Sequence, residues 1–207
     1  MKKNHSLLPA IFVLMSCHNP GNVNDKNIMM ENKDSTVYSS PFTAIEKGKA
    51  PGMKYRLLSE HDGMKEFTLI FAKGDEVLSG VSDFVKQQKV GSARFTAIGA
   101  LQSVKTAWFD VAKKSYKVNE INKQCELVSL IGDIGLYEGT PAVHAHVSVG
   151  FETGEVEGGH LIEAISFPTV ELFMTVFPVA LDKELDPDTD LKLFHPEIDP
   201  DSHQNNK

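Results

Sequence analysis

Ala142-Val143-His144-Ala145-His146-Val147-Ser148-Val149-Gly150, followed after Glu152-Thr153-Gly154-Glu155 by Gly158-Gly159-His160-Leu161, decides how this chain is read. Its residues are those of a strand, a turn and a returning strand. In an extended strand successive side chains point to opposite faces, so His144 and His146 share one face and Ala145 points away. With the turn at 152–155, mirroring about its midpoint brings His160 within one residue of the position opposite His146. Cross-strand partners lie about 5 Å apart, within reach of a shared ion. Gly158-Gly159 can supply a β-bulge that corrects the register by the one residue needed.

Three of the chain's eight histidines fall in this stretch. Three imidazoles from one hairpin form a donor set that suits a divalent metal, zinc foremost, with a fourth position open to water or a ligand. The alternative is that the same histidines hydrogen-bond within a subunit interface. Glu126, Glu163 and Glu171, all in strand-like segments, are candidates for a fourth ligand, a hydrogen-bond partner behind a ligand, or a general base. Each can equally be an exposed sheet residue. Arg94 can meet an anionic substrate or simply face solvent. His5, His18, His61, His195 and His203 fall in terminal segments or at a turn and are expected to be solvated.

Around the hairpin, the remaining signals are mostly those of strands. Lys54–Leu58 and Glu66–Ala72 flank a turn at His61-Asp62-Gly63. Val77, Leu78, Val81, Phe84 and Val85 recur at three- and four-residue steps before Gly91, which predicts the principal helix. Segments 94–108, 115–118, 125–137, 142–151, 160–167 and 170–179 read as strands. Turns are expected at 113–114, 138–141, 153–154 and 167–169. The fold class is α+β, a mainly antiparallel sheet carrying one main helix. The folded domain is expected over 53–181.

At the N-terminus Lys2-Lys3 precede the apolar run Leu7–Met15, too short to span a bilayer, and Ser16-Cys17 follow. Leu14-Met15-Ser16-Cys17 resembles a bacterial lipobox, so residues 1–17 read as a lipoprotein signal with Cys17 as the acylated residue. The predicted location is then the cell envelope, held to the membrane through Cys17. A start at Met29 or Met30 would make the protein cytoplasmic instead. Residues 18–50 read as a flexible tether, and 182–207, acidic and broken by prolines, as a loose tail. The other cysteine, Cys125, is expected to be a half-buried structural thiol.

The chain carries 21 basic and 28 acidic residues, a net charge of −7, which argues against broad attraction to a phosphate backbone. It has no phosphate-binding glycine loop, no Gly-x-Ser-x-Gly elbow and no Cys-x-x-Cys pair.

Cys125-Glu126-Leu127-Val128-Ser129-Leu130-Ile131-Gly132, Pro141-Ala142-Val143-His144-Ala145-His146 and Gly158-Gly159-His160-Leu161 together resemble the PPC (plants and prokaryotes conserved) domain. Ile98-Gly99-Ala100-Leu101 fits the same pattern, and the resemblance covers roughly residues 53–180. It implies a mainly antiparallel α/β fold assembled as a homotrimer. It also implies nucleic acid as a partner, because plant members join this domain to an Arg-Gly-Arg-Pro hook and bind DNA. This chain has two arginines and no such hook. The fold is similar as well to one domain of acetolactate decarboxylase, whose zinc is held by a His-x-His pair and a third downstream histidine. His144, His146 and His160 match that set in type and order. Three readings follow: an exported, lipid-anchored module binding a divalent metal and a small ligand, a DNA-binding protein, or a metal-dependent lyase or hydrolase using metal-bound water.

Overall fold

Asp62 and Gly63 both take positive φ, 50° and 77°, the geometry whose twist suits a two-residue hairpin turn. They join β2 (Lys54–His61) to β3 (Met64–Phe71) in the antiparallel pair expected there. A computed structural model describes residues 36–194, and no helix in that span is long and apolar enough to cross a membrane. Its remaining elements are β1 (Tyr38–Ser39), α1 (Val77–Gln87), β4 (Ala93–Asp110), β5 (Ser115–Ile121), β6 (Cys125–Tyr137), β7 (Thr140–Gly150), β8 (Val156–Val176), β9 (Lys183–Leu185) and β10 (Lys192–Phe194).

Eight strands form one antiparallel sheet in the order β1-β5-β4-β6-β7-β8-β3-β2, and β4 also pairs with β8. The extra pairing closes β4, β6, β7 and β8 into a ring. Inward residues of these strands (Phe95, Leu101, Leu130, Ile134, Val147, Val149, Leu172 and Met174) form the core. The helix α1 covers it with Val77, Leu78, Val81, Phe84 and Val85. Phe84 meets Phe67 and Tyr55 edge-on at 5.2 and 5.0 Å, an arrangement favoured by the ring quadrupoles. Glu76 caps the helix: its carboxylate accepts from the Leu78 and Ser79 amides and from Ala164 N of β8. One side chain thereby fixes the helix start to the strand that carries His160.

Three boundaries differ from the sequence expectation. The turn predicted at 167–169 is absent, and β8 runs on through Pro168, whose peptide bond with Phe167 is cis. Pro168 falls where the register shifts between the Leu101–Ser166 and Gly99–Val170 pairs, so its missing N–H costs no ladder bond. Residues 36–50 are no tether. β1 pairs with β5, Gly48 N donates to Asp83, and Lys49 N and O bond Ser79 and Glu76 N. These bonds tie residues 48–49 to α1 and its cap, and Ile45 and Ala50 pack on the core. Lastly, 182–194 is no loose tail, since β9 and β10 pair as a small hairpin and Lys183 is buried.

Candidate metal centre

β7 alternates around the core. Ala145, Val147 and Val149 point inward and are buried, which turns His144 and His146 to the outer face. On β8 the register sets His160 directly opposite His146, followed by Val147–Gly159, Ser148–Gly158, Val149–Glu157 and Gly150–Val156. The loop is therefore the five residues 151–155 centred on Thr153. The expected bulge at Gly158-Gly159 is absent, because the longer loop already gives the correct register. The two glycines answer a different need, close backbone approach. A Cβ on Gly158 would lie 2.5 Å from the Val147 carbonyl oxygen, and one on Gly159 would lie 2.7 Å from that of Ala107.

His160 sits between two strands, paired with His146 on one side and Ala107 of β4 on the other. Tyr116 stacks on its ring at 4.3 Å and 13°. The three imidazole centroids are 5.1, 5.3 and 5.6 Å apart. One nitrogen from each comes within 4.8 Å of the others, close enough for one ion to be held by all three. His160 Nδ1 is buried and has no hydrogen-bond partner among the described residues, a costly state unless something else binds it. Burial, joined by His144 and His146, pushes the His160 imidazole down to about 3. Burial and then His144 lower His146 as well. Both rings are thus neutral near pH 7, the form in which imidazole offers a lone pair to a metal.

Asp133 of β6, the cross-strand partner of His144, places Oδ2 3.4 Å from His144 Nδ1. Its other oxygen accepts from Lys183 Nζ at 2.5 Å. Burial works to raise the Asp133 carboxyl, but the contacts from His144 and Lys183 outweigh it and hold the group below the usual carboxylate value. An ionised carboxylate behind Nδ1 orients a histidine and leaves Nε2 to face a ligand. Sequence reasoning missed Asp133, Lys183 and Tyr116. Only Asp133 left a signal, two strand positions from Ile131 on the face shared with His146.

The glutamates stand apart from the cluster. Glu163 pairs with Lys105 at 3.1 Å. Glu126 and Glu171 are exposed at register positions opposite Gly150 and Ile70. Arg94 is exposed on β4, opposite Asp133 in the ladder. His61 lies at the end of β2 against Asp62. Cys125 is free and buried. Cys17, His5, His18, His195 and His203 lie outside the described residues.

Beyond His146 and His160 the two strands part: β7 keeps β6 as its neighbour, and β8 continues beside β4. Cavities open beside this divergence. One of about 140 Å³ reaches His144 and His160 and is walled by Tyr116, Pro41, Leu191 and Leu193. A larger one of about 400 Å³ extends from it under the segment 39–45 toward α1.

A model of the Plants and Prokaryotes Conserved (PCC) domain matches residues 58–178. A Pyrococcus horikoshii plant- and prokaryote-conserved (PPC) protein is 32% identical over 69% of this chain and 94% of its own, with a TM-score of 0.59. A metal-containing protein from Archaeoglobus fulgidus is 28% identical over 69% of this chain and 97% of its own, with a TM-score of 0.58. A Bacteroides thetaiotaomicron protein with a provisional DNA-binding label has a TM-score of 0.63 over 69% of this chain and 96% of its own. At 20% identity that third likeness speaks for the fold alone. No curated protein matches. The match over 58–178 and the likeness to the Pyrococcus protein together show that the chain belongs to the Plants and Prokaryotes Conserved (PCC) domain family.

Proposed function

We propose that this domain is a metal-binding module in which His144, His146 and His160 hold one divalent ion, with a coordination position left for a small ligand. The observation that carries this reading is the buried, unpartnered Nδ1 of His160 inside a cluster of ring nitrogens spanning 4.8 Å. Zinc is the ion an all-imidazole set on a rigid sheet suits best. When bound, it would supply Lewis-acid chemistry at its open position. The chain's own residues hold the donors in place: Asp133 orients His144, and Tyr116 stacks on His160. The metal-containing Archaeoglobus relative supports the reading. The DNA-binding label borne by a relative finds little support in a chain of net charge −7. The test is metal analysis of the purified full chain beside His144→Ala and His160→Ala. About one ion per chain in the wild type and a loss in both variants is the expected result; full metal content in both variants would sink the proposal.

Two further features belong to this reading. Self-association as a trimer fits the outward face beside the histidines, where Ile98, Ile131 and Phe173 are 61%, 55% and 54% exposed. Ile131 and Phe173 lie on either side of Thr96 in the ladder and so share one face of the sheet. Anchoring at the cell envelope through Cys17 rests on the lipobox-like sequence, and mass spectrometry of the mature N-terminus tests it.

A further inference from the structure

In a chain with more acidic than basic residues, the two cavities beside the histidines have no Asp or Glu in their lining. They have lysines instead. Lys183 and Lys192 border the smaller cavity, and Lys47, Lys86 and again Lys192 the larger. Lys183 is spent on Asp133. Lys192 has no carboxylate partner among the described residues; its ammonium lies 4.6 Å from the Tyr137 ring. Lys86 bonds the Ser82 hydroxyl rather than an acid.

A cleft lined by one sign of charge with low-dielectric walls concentrates ions of the opposite sign. Imidazole ligands bring no negative charge of their own to a bound divalent ion, so metal and lysine act in the same direction. The walls supply a second requirement. Pro41, Leu191 and Leu193 offer apolar surface, and Tyr116 an aromatic one, which rewards a short hydrocarbon part on the ligand. The cavity lined by both His144 and His160 holds about 140 Å³, so the part of a ligand that reaches both rings is small. Two segments outside the main strand ladder of this site, 39–45 and the β9–β10 hairpin, build these walls, and neither is needed to hold a metal.

We propose that the site takes a small organic carboxylate, with its anionic head between the three-histidine centre and Lys192 and its apolar part against Pro41, Leu191 and Leu193. The inference rests on the metal-binding reading above. It adds the charge and the size class of the ligand.

The probe is butyrate, with uncharged butyramide of the same shape as its control, titrated into the cobalt-loaded full chain. Calorimetry gives the affinity, and the visible cobalt bands report whether the metal environment changes. Butyrate should bind about tenfold or more tightly than butyramide, as expected when a charged hydrogen bond is gained. Lys192→Met should weaken butyrate by about fivefold with cobalt content unchanged, and Lys192→Arg should retain most of the affinity. Equal affinity for the amide, undiminished binding by Lys192→Met, or no butyrate binding to cobalt-loaded protein would each overturn the inference. A chain that takes up no cobalt or zinc at all would instead overturn the metal reading, and the two failures are told apart by metal analysis of the same samples.

Discussion

His146 and His160 face each other as direct cross-strand partners, with ring centroids 5.6 Å apart. Neither depends on a mobile loop, because each is fixed by its strand's ladder and by inward neighbours such as Ala145 and Leu161. A metal bound across such a pair stabilises the folded state only, since the unfolded chain separates the ligands. Zinc at about one hundred times its Kd should add about 2.7 kcal/mol to the unfolding free energy. Thermal melts of wild type and His160→Ala, each with zinc and with chelator, measure it. The variant should show no zinc-dependent gain.

Asp133 holds a partner on each oxygen, His144 and Lys183. Asp133→Asn keeps the shape but removes the charge that fixes the His144 ring. Loss of such a carboxylate typically costs 10- to 100-fold in metal affinity. Competition titrations against a chromophoric chelator should show a loss of about that size, while circular dichroism stays native. Unchanged affinity would mean that the contact is incidental to metal binding.

How far the sequence could be read follows from the range of the interactions. His144 and His146 were legible because strand periodicity is local, and His160 because one hairpin joins it to them. The loop length was not legible: Thr153-Gly154 read as the turn's centre, whereas the register is centred on Thr153, and a bulge was expected to make up the difference. Lys183 was hidden by its setting in an acidic, proline-broken segment, and its partner Asp133 is 50 positions away. The glutamates were proposed on residue type alone, and Glu163 shows how a lysine across the ladder can claim such a group. The sheet and helix were legible from alternation and three-to-four spacing, but closure of the ring by β4 and β8 depends on long-range pairing that no local pattern encodes.

Gly158 lies under the Val147 carbonyl, with only 2.5 Å for a Cβ. Backbone cannot step aside as a flexible side chain can, so Gly158→Ala should push β7 and β8 apart at the strands that carry the histidines. Overpacking of this kind costs typically about 1–3 kcal/mol. Urea unfolding gives the loss in stability. Metal affinity should fall in the same variant, because the displaced backbone sits two residues from His160.

Phe173 and Ile131 are exposed apolar side chains on the outer face, and in a trimer they would be covered by neighbouring copies. Phe173→Lys should then convert a trimer into a monomer in light scattering while leaving the monomer folded, since its side chain contributes little to the core. A wild-type monomer at tens of micromolar, on the order of the concentration at which modest interfaces form, would remove the trimer from the proposal.

The same burial that readies His160 for a metal makes the metal-free fold sensitive to acid. In the fold its pKa is about 3, against about 6.5 in an unfolded chain. Above about 6.5 neither state binds the proton, and the contribution of His160 to stability is complete and constant. As pH falls below that value the unfolded state takes up a proton that the folded state refuses, and stability drops by up to about 1.4 kcal/mol per pH unit. The loss ends once the folded state also titrates, near 3. Urea midpoints of chelator-treated protein between pH 7.5 and pH 4.5 should therefore decline with acidification. His160→Phe keeps an aromatic ring against Tyr116 but cannot titrate, so its decline should be shallower over the same window. An identical slope in the two proteins would show that His160 is not held neutral by its burial, and would remove the electrostatic ground for treating it as a poised ligand.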